Sequence, residues 1–194
     1  MKEFQQLHDL LYWKPRDPST LSRKEKRNAL SNVIFIKQKR DGRTKTRSCA
    51  DGSLQRQYIS KEDTALPTVG IDIVFITGAI NAHEGRDVMT FDIPGSFVTA
   101  KTDEYVIMAL RVYLCEVMTR IDPKLYSKYI TKNKKGKSVL FVHLYKSLYG
   151  LLRSALLFYK KIGKELEAYG FAMNPRVTRR MVSIIPLFFM WMMD

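Results

Sequence analysis

The chain has 194 residues, of which 45% are hydrophobic, enough for one domain of ordinary size with a real core. Lys and Arg number 33 against 19 Asp and Glu, a net charge of +14, which points to nucleic acid or an acidic membrane surface, or else to a scattered basic surface. Cys49 and Cys115 have no CxxC partner, and His8, His83 and His143 are equally scattered, so neither a zinc site nor a disulfide framework is expected and a reducing compartment is the default.

Met1 to Leu11 reads as a short amphipathic helix rather than a signal peptide. Pro15 and Pro18 stop it, and Arg23 to Arg27 reads as a basic, solvated linker. Val33 to Ile36 predicts a strand, Asp41-Gly42 suits a type I′ hairpin turn, and Arg43 to Cys49 forms the second arm. This hairpin carries Lys37, Lys39, Arg40, Arg43, Lys45 and Arg47, with Asp41 alone opposing them. Such lysines either meet a polyanion or guard an edge strand against aggregation.

From Thr68 to His83 the apolar residues Ile73, Ile76, Ala79 and Ile80 recur at helical steps, and Gly85 ends the helix. Val88 to Asp92 reads as a buried strand broken by Pro94-Gly95, followed by a short helix or turn from Ser96 to Ala100. Tyr105 to Leu110 reads as another strand. Asp122 suits the cap of a helix with Pro123 at its first position, running through Tyr129. Lys132 to Lys137 is a basic turn around Gly136, Ser138 to Leu144 a strand, and Ser154 to Tyr169 a helix capped by Gly170. The run from Ile184 to Met193 contains Pro186 and is too short for a spanning helix, which needs ~20 apolar residues, so it is a core strand or an aberrant tail. Helices and strands mix without βαβ alternation, which predicts an α+β fold.

Asp92 ends an apolar strand just before a Pro-Gly break. A carboxylate there is costly to bury unpaired, so it suits a cap for the next turn or a metal ligand.

Several segments, taken in order, resemble the copia-type retrotransposon reverse transcriptases from about Val33 to Pro175. Lys45-Thr46-Arg47-Ser48-Cys49-Ala50-Asp51-Gly52 is similar to that family's fingers pattern K-A-R-x-V-A-x-G. Asp63 to Val69 resembles a T-x-S-P-V-like segment, with Leu66 where Ser is usual. Asp92-Ile93-Pro94-Gly95-Ser96-Phe97-Val98 resembles the palm motif D-V-K-x-A-F-L, and Glu104 to Met108 the E-x-x-Y-M that follows. Leu144 to Tyr159, LYKSLYGLLRSALLFY, follows L-x-K-S-L-Y-G-L-x-Q-S-x-x-x-W/F-Y, with Arg153 replacing Gln. Gly170-Phe171 and Asn174-Pro175 continue the pattern.

The resemblance implies an RNA-directed DNA polymerase with an incomplete right-hand fold: a fingers β-hairpin from about Asn32 to Cys49, then an antiparallel palm sheet packed on helices. It divides the chain into an N-terminal helix and basic linker (1–31), fingers and palm (32–175), and a divergent or truncated tail (176–194). It implies two Mg²⁺ ions held by Asp92, the Ile93 carbonyl and a second carboxylate. Lys45 and Arg47 would hold the triphosphate. Phe97, beside Ser96 in the nucleotide pocket, would be the gate against a ribose 2′-hydroxyl. Tyr149 and Gly150 would form the pocket floor. The implied partners are an RNA or DNA primer-template and deoxynucleoside triphosphates, with no membrane. In an intact element, ribonuclease H and integrase segments and a cytoplasmic virus-like particle would accompany it.

The sequence departs from the family after Pro175, where Arg176-Val177-Thr178-Arg179-Arg180 stands, as after a frame disruption. No Asp-Asp pair of the expected second carboxylate hairpin occurs; Phe189 to Asp194 is the nearest segment, ending in either a motif remnant or a chance residue. Asp194 is therefore the expected second catalytic and metal-binding carboxylate only if that ending is genuine. The chain alone, also lacking a thumb, is expected not to extend a primer. The alternatives are a non-catalytic basic nucleic-acid-binding module, with Tyr126, Tyr129, Phe141 and Tyr145 interleaved among lysines for stacking, and a pseudogene product.

Overall fold

The computed structural model describes residues 2–65, 70–87, 100–173 and 190–192, with backbone alone for 171–173 and 190–192. The architecture is α+β, as the mixed periodicities predict. The main sheet has six strands: β1 (Trp13–Pro15), β2 (Leu30–Gln38), β3 (Thr44–Ala50), β4 (Lys101–Arg111), β5 (Ile130–Lys132) and β6 (Ser138–Lys146), in the order β1-β6-β4-β2-β3 with β5 also on β6. β4 and β6 form the antiparallel centre, with Ile107 opposite His143 and Ala109 opposite Phe141. β2 joins β4 in parallel only at Leu30 and Ser31, and its remaining length pairs with β3.

The period of two along β4 and β6 sorts their side chains onto two faces. Val106, Met108, Leu110, Leu140, Val142 and Leu144 belong to the larger core. Helices cover that face: α1 (Lys2–Asp9) contributes Phe4 and Leu7, and α4 (Tyr113–Ile121) contributes Leu114, Cys115, Val117 and Met118. The alternate residues Ile107, Ala109, Val139 and Phe141 form a second, smaller cluster with Leu21 and Ala29. The larger core runs across residue 31, because Tyr12 and Trp13 pack in it and β1 pairs with β6.

Three elements differ from the sequence-based expectation. Arg23 to Arg27 is solvent-exposed but helical: α2 (Arg23–Asn28) starts with a capping box, Glu25 N donating to Ser22 Oγ at 3.2 Å and Ser22 N to Glu25 Oε2 at 2.8 Å. The Asp41-Gly42 turn is not type I′, which requires positive φ at both central residues. Only Gly42 is left-handed (φ +79°), while Lys39 N donates to Arg43 O and Gly42 N to Lys39 O, so the loop has three residues and a glycine bulge. Third, α4 had no sequence signature; Val112 opens it at φ +45° without a side-chain cap.

The remaining elements follow the sequence closely. α3 (Ile71–His83) ends before Gly85 at φ +64°, and it buries none of its residues. α5 (Pro123–Tyr126) is capped by Asp122, whose Oδ1 accepts from Leu125 N at 2.9 Å, and a 3₁₀ turn from Ser127 to Tyr129 continues it. α6 (Ser154–Ala168) ends at Gly170, φ +88°. Beyond it β7 (Phe171–Met173) pairs with β8 (Met190–Met192) in a separate two-stranded sheet, so the strand reading of the apolar tail holds at those three residues. The predicted strand Val88–Asp92 lies outside the described residues, as does the short helix or turn predicted from Ser96 to Ala100, save for Ala100 itself.

Candidate nucleotide-contact site

The basic hairpin of β2 and β3 places Lys45 and Arg47 two residues apart, hence on one face. Lys37 stands directly opposite Lys45, and Phe35 opposite Arg47. Like charges facing each other across a strand pair cost stability, so this arrangement is not one that folding alone favours. Asp41 does not offset the charge, because its carboxylate is taken by Arg43: Arg43 N donates at 3.0 Å and Nε at 2.8 Å. Those side-chain and backbone hydrogen bonds hold the Asp41 carboxyl below its ordinary range. Among the described residues, Lys37, Lys39, Arg40, Lys45 and Arg47 form no salt bridge.

The turn after β6 docks against the end of β3. Ala50 N donates to Tyr149 O at 2.7 Å, and Cys49 and Tyr149 form a parallel bridge. The approach depends on two glycines. A Cβ on Gly150, whose φ is +91°, would lie 2.0 Å from Ala50 O, and a Cβ on Gly52 would lie 2.2 Å from Gly150 O. The Arg47 guanidinium consequently sits 5.3 Å from the centre of the Tyr149 ring, within cation–π range. Four of the expected nucleotide contacts therefore lie on two adjoining elements: Lys45 and Arg47 on β3, Tyr149 and Gly150 on the turn.

A polar brace without any local signature supports this turn from below. Gln55 is buried, its Oε1 accepting from Leu152 N at 3.1 Å and its Nε2 donating to Glu104 Oε2 at 3.2 Å. Arg153 reaches the same region, with NH2 2.8 Å from Asp103 and NH1 3.3 Å from Glu104. These partners are 49 and more residues apart, so no local pattern could reveal them. Arg153 thus holds two carboxylates.

Ala100 O accepts from Ser147 N at 2.8 Å, beside the same turn. Asp92, Ile93, Ser96, Phe97 and Asp194 lie outside the described residues. Among the described residues no group of three or more His, Cys, Asp or Glu side chains is placed to hold a metal ion. Of the four tyrosine and phenylalanine residues interleaved among lysines, Tyr126 and Phe141 are buried and inaccessible to a stacking base, whereas Tyr145 is exposed. No helix among the described residues is long and apolar enough to cross a membrane. Comparisons of the chain with protein families, with curated proteins and with solved structures found no match.

Proposed function

We propose that the chain is the fingers and part of the palm of a copia-type reverse transcriptase, an incomplete right-hand polymerase, and that its Arg47–Tyr149 pocket receives the triphosphate of a deoxynucleotide. The observation that carries this reading is the meeting of two distant motifs. The Lys45–Gly52 and Leu144–Tyr159 segments stand about a hundred residues apart, and each resembles the family on its own residues. They meet at Arg47, Tyr149, Gly52 and Gly150 through contacts that only glycine permits. Lys45 and Arg47 are exposed and form no salt bridge among the described residues, which suits a polyphosphate, and Arg47 lies against an aromatic ring that suits a base or sugar.

The partners on this reading are a primer-template and deoxynucleoside triphosphates. Mg²⁺ would be bound through Asp92, the Ile93 carbonyl and Asp194, and in an intact element would stabilise the attacking and leaving oxygens of phosphoryl transfer. A basic module without catalytic function is the second reading, favoured by the row of cations without salt bridges at the hairpin tip.

Nucleotide titration separates the two. Arg47→Ala and Lys45→Ala should each weaken deoxynucleoside triphosphate binding about 10-fold or more, as removal of a charge-assisted hydrogen bond does, and weaken duplex binding far less. Equal losses for both ligands would reduce the hairpin to a general basic surface.

A further inference from the structure

A second basic feature lies at the other end of β6 from the Tyr149 turn. β5 and β3 lie on opposite edges of the main sheet, and the two features have no residue in common. Here the smaller sheet face opens into a cleft of about 570 Å³. Lys26 of α2, Arg111 of β4, Lys132 of β5, and Lys134 and Lys135 of the β5–β6 turn line it. No carboxylate lines it, and none of these five cations forms a salt bridge among the described residues. Asp17, whose Oδ1 accepts from Ser19 N and Oγ at 2.8 and 2.7 Å, acts on Lys26 by charge without forming a salt bridge to it.

The lysines are presented by a fixed turn. Asn133 Oδ1 accepts from Lys135 N at 2.9 Å and Lys137 N at 3.0 Å, Asn133 N donates to Lys137 O, and Gly136 takes φ +71°. Such a turn holds its charges together at a repulsive cost that folding does not require.

We infer that this cleft binds the phosphate backbone of a nucleic-acid strand, as a site separate from the Arg47–Tyr149 pocket. The occupant follows from the lining. The apolar lining includes Ala109, Val139 and Phe141, of which Phe141 is 9% exposed, so it offers no ring for stacking, and of the uncharged polar side chains, Thr131 and Asn133, the Asn133 Oδ1 is taken up in holding the turn. Five cations around one cleft, outnumbering its uncharged polar side chains Thr131 and Asn133, suit the repeated charges of a polymer and give binding with little sequence preference. An acidic bilayer fits less well, because the apolar residues that would enter it are recessed beneath the lysines. The inference needs nucleic acid as a partner but not the polymerase reading; the cleft can bind strands even if the hairpin pocket binds no nucleotide.

The test is fluorescence anisotropy of the full chain with a labelled oligonucleotide of mixed sequence, over a range of salt. Lys132→Gln/Lys134→Gln/Lys135→Gln should weaken affinity about 10-fold or more at low salt. It should also flatten the slope of log K against log salt by about 2 to 3, roughly one unit for each phosphate no longer neutralised. Lys124→Gln/Lys160→Gln/Lys164→Gln, with the same change in net charge at other exposed positions, should weaken affinity much less. Combining the cleft variant with Arg47→Ala should add the two effects, as independent sites do. All six lysines are exposed, and a circular dichroism melt verifies that each variant is folded. Equal effects from the two triple variants, or an unchanged salt slope in the cleft variant, would overturn the site. So would a cleft variant that keeps its oligonucleotide affinity while losing binding to phosphatidylserine vesicles.

Discussion

Replacing Gly150 by alanine tests whether the Tyr149 turn and the end of β3 form one unit. The new Cβ would stand 2.0 Å from Ala50 O, far inside van der Waals contact, at a φ of +91° that L side chains rarely adopt. The left-handed backbone alone costs about 1–2 kcal/mol for a residue with a Cβ. Relief of the clash means moving the turn by more than an ångström, which breaks the 2.7 Å bond from Ala50 N to Tyr149 O, worth about 0.5–1.5 kcal/mol net and more if the groups stay buried. The sum is about 2–4 kcal/mol, or a fall in melting temperature of about 4–16 °C for a chain of this size. A circular dichroism melt measures the fall. Nucleotide titration should show a parallel weakening, because Tyr149 leaves its position 5.3 Å from Arg47. A variant that melts within a degree of the parent would show that the two segments do not hold each other, and that the pocket they frame has no fixed shape.

Gln55→Leu removes the acceptor of Leu152 N and the donor to Glu104, so it should cost about 1–3 kcal/mol by urea unfolding; a neutral result would mean the brace is incidental. His143 packs between Tyr105 and Tyr145, with ring centres 4.5 Å from each, and burial, then the Arg16 charge, pushes its pKa below the ordinary value. The unfolded chain then binds the proton more readily than the folded one, so stability should be full above about 6.5 and fall as pH drops toward the lower folded value. In His143→Phe that decline should shrink; an unchanged acid profile would assign it to other groups. Primer extension by the 194-residue chain alone should be undetectable, because no Asp-Asp pair exists to complete a two-ion site. Steady deoxynucleotide incorporation would contradict this, and incorporation surviving Asp92→Asn would remove Asp92 from the role the resemblance gives it.

The hairpin tip and the β5–β6 turn are both three-residue loops closed by a left-handed glycine, Gly42 and Gly136, and both carry clustered cations. They belong to strands on opposite edges of the main sheet, β3 and β5. A polyanion engaging both would be oriented along the sheet rather than held at one point, which makes their additivity a measurable property of the fold.

The sequence by itself determined the features that depend on neighbours along the chain. The apolar run Val139 to Leu144, the apolar stripe of Ser154 to Ala168, the Asp122-Pro123 start and the glycines at 85 and 170 all have local causes, and the elements form where those causes put them. The basic hairpin was equally legible, since strand propensity and a turn dipeptide suffice to specify one. Even the Ser22–Glu25 capping box was present in the residues, though masked by the density of charge around it. Tertiary structure alone decided the rest. It converted Asp41-Gly42 from a two-residue turn into a bulged loop, because register with β2 fixed how many residues the connection spans. It formed α4, whose burial under β4 and β6 supplies what its sequence lacks in capping. It joined Arg47 to Tyr149, Gln55 to Leu152 and Arg153 to Glu104 across separations of 49 to 102 residues, and gathered Lys26, Arg111 and the Lys132–Lys135 turn around one cleft. Contacts of that range leave no periodic trace in a chain, because they are set by how the sheet pairs and which of its faces is covered, not by any residue's own preference.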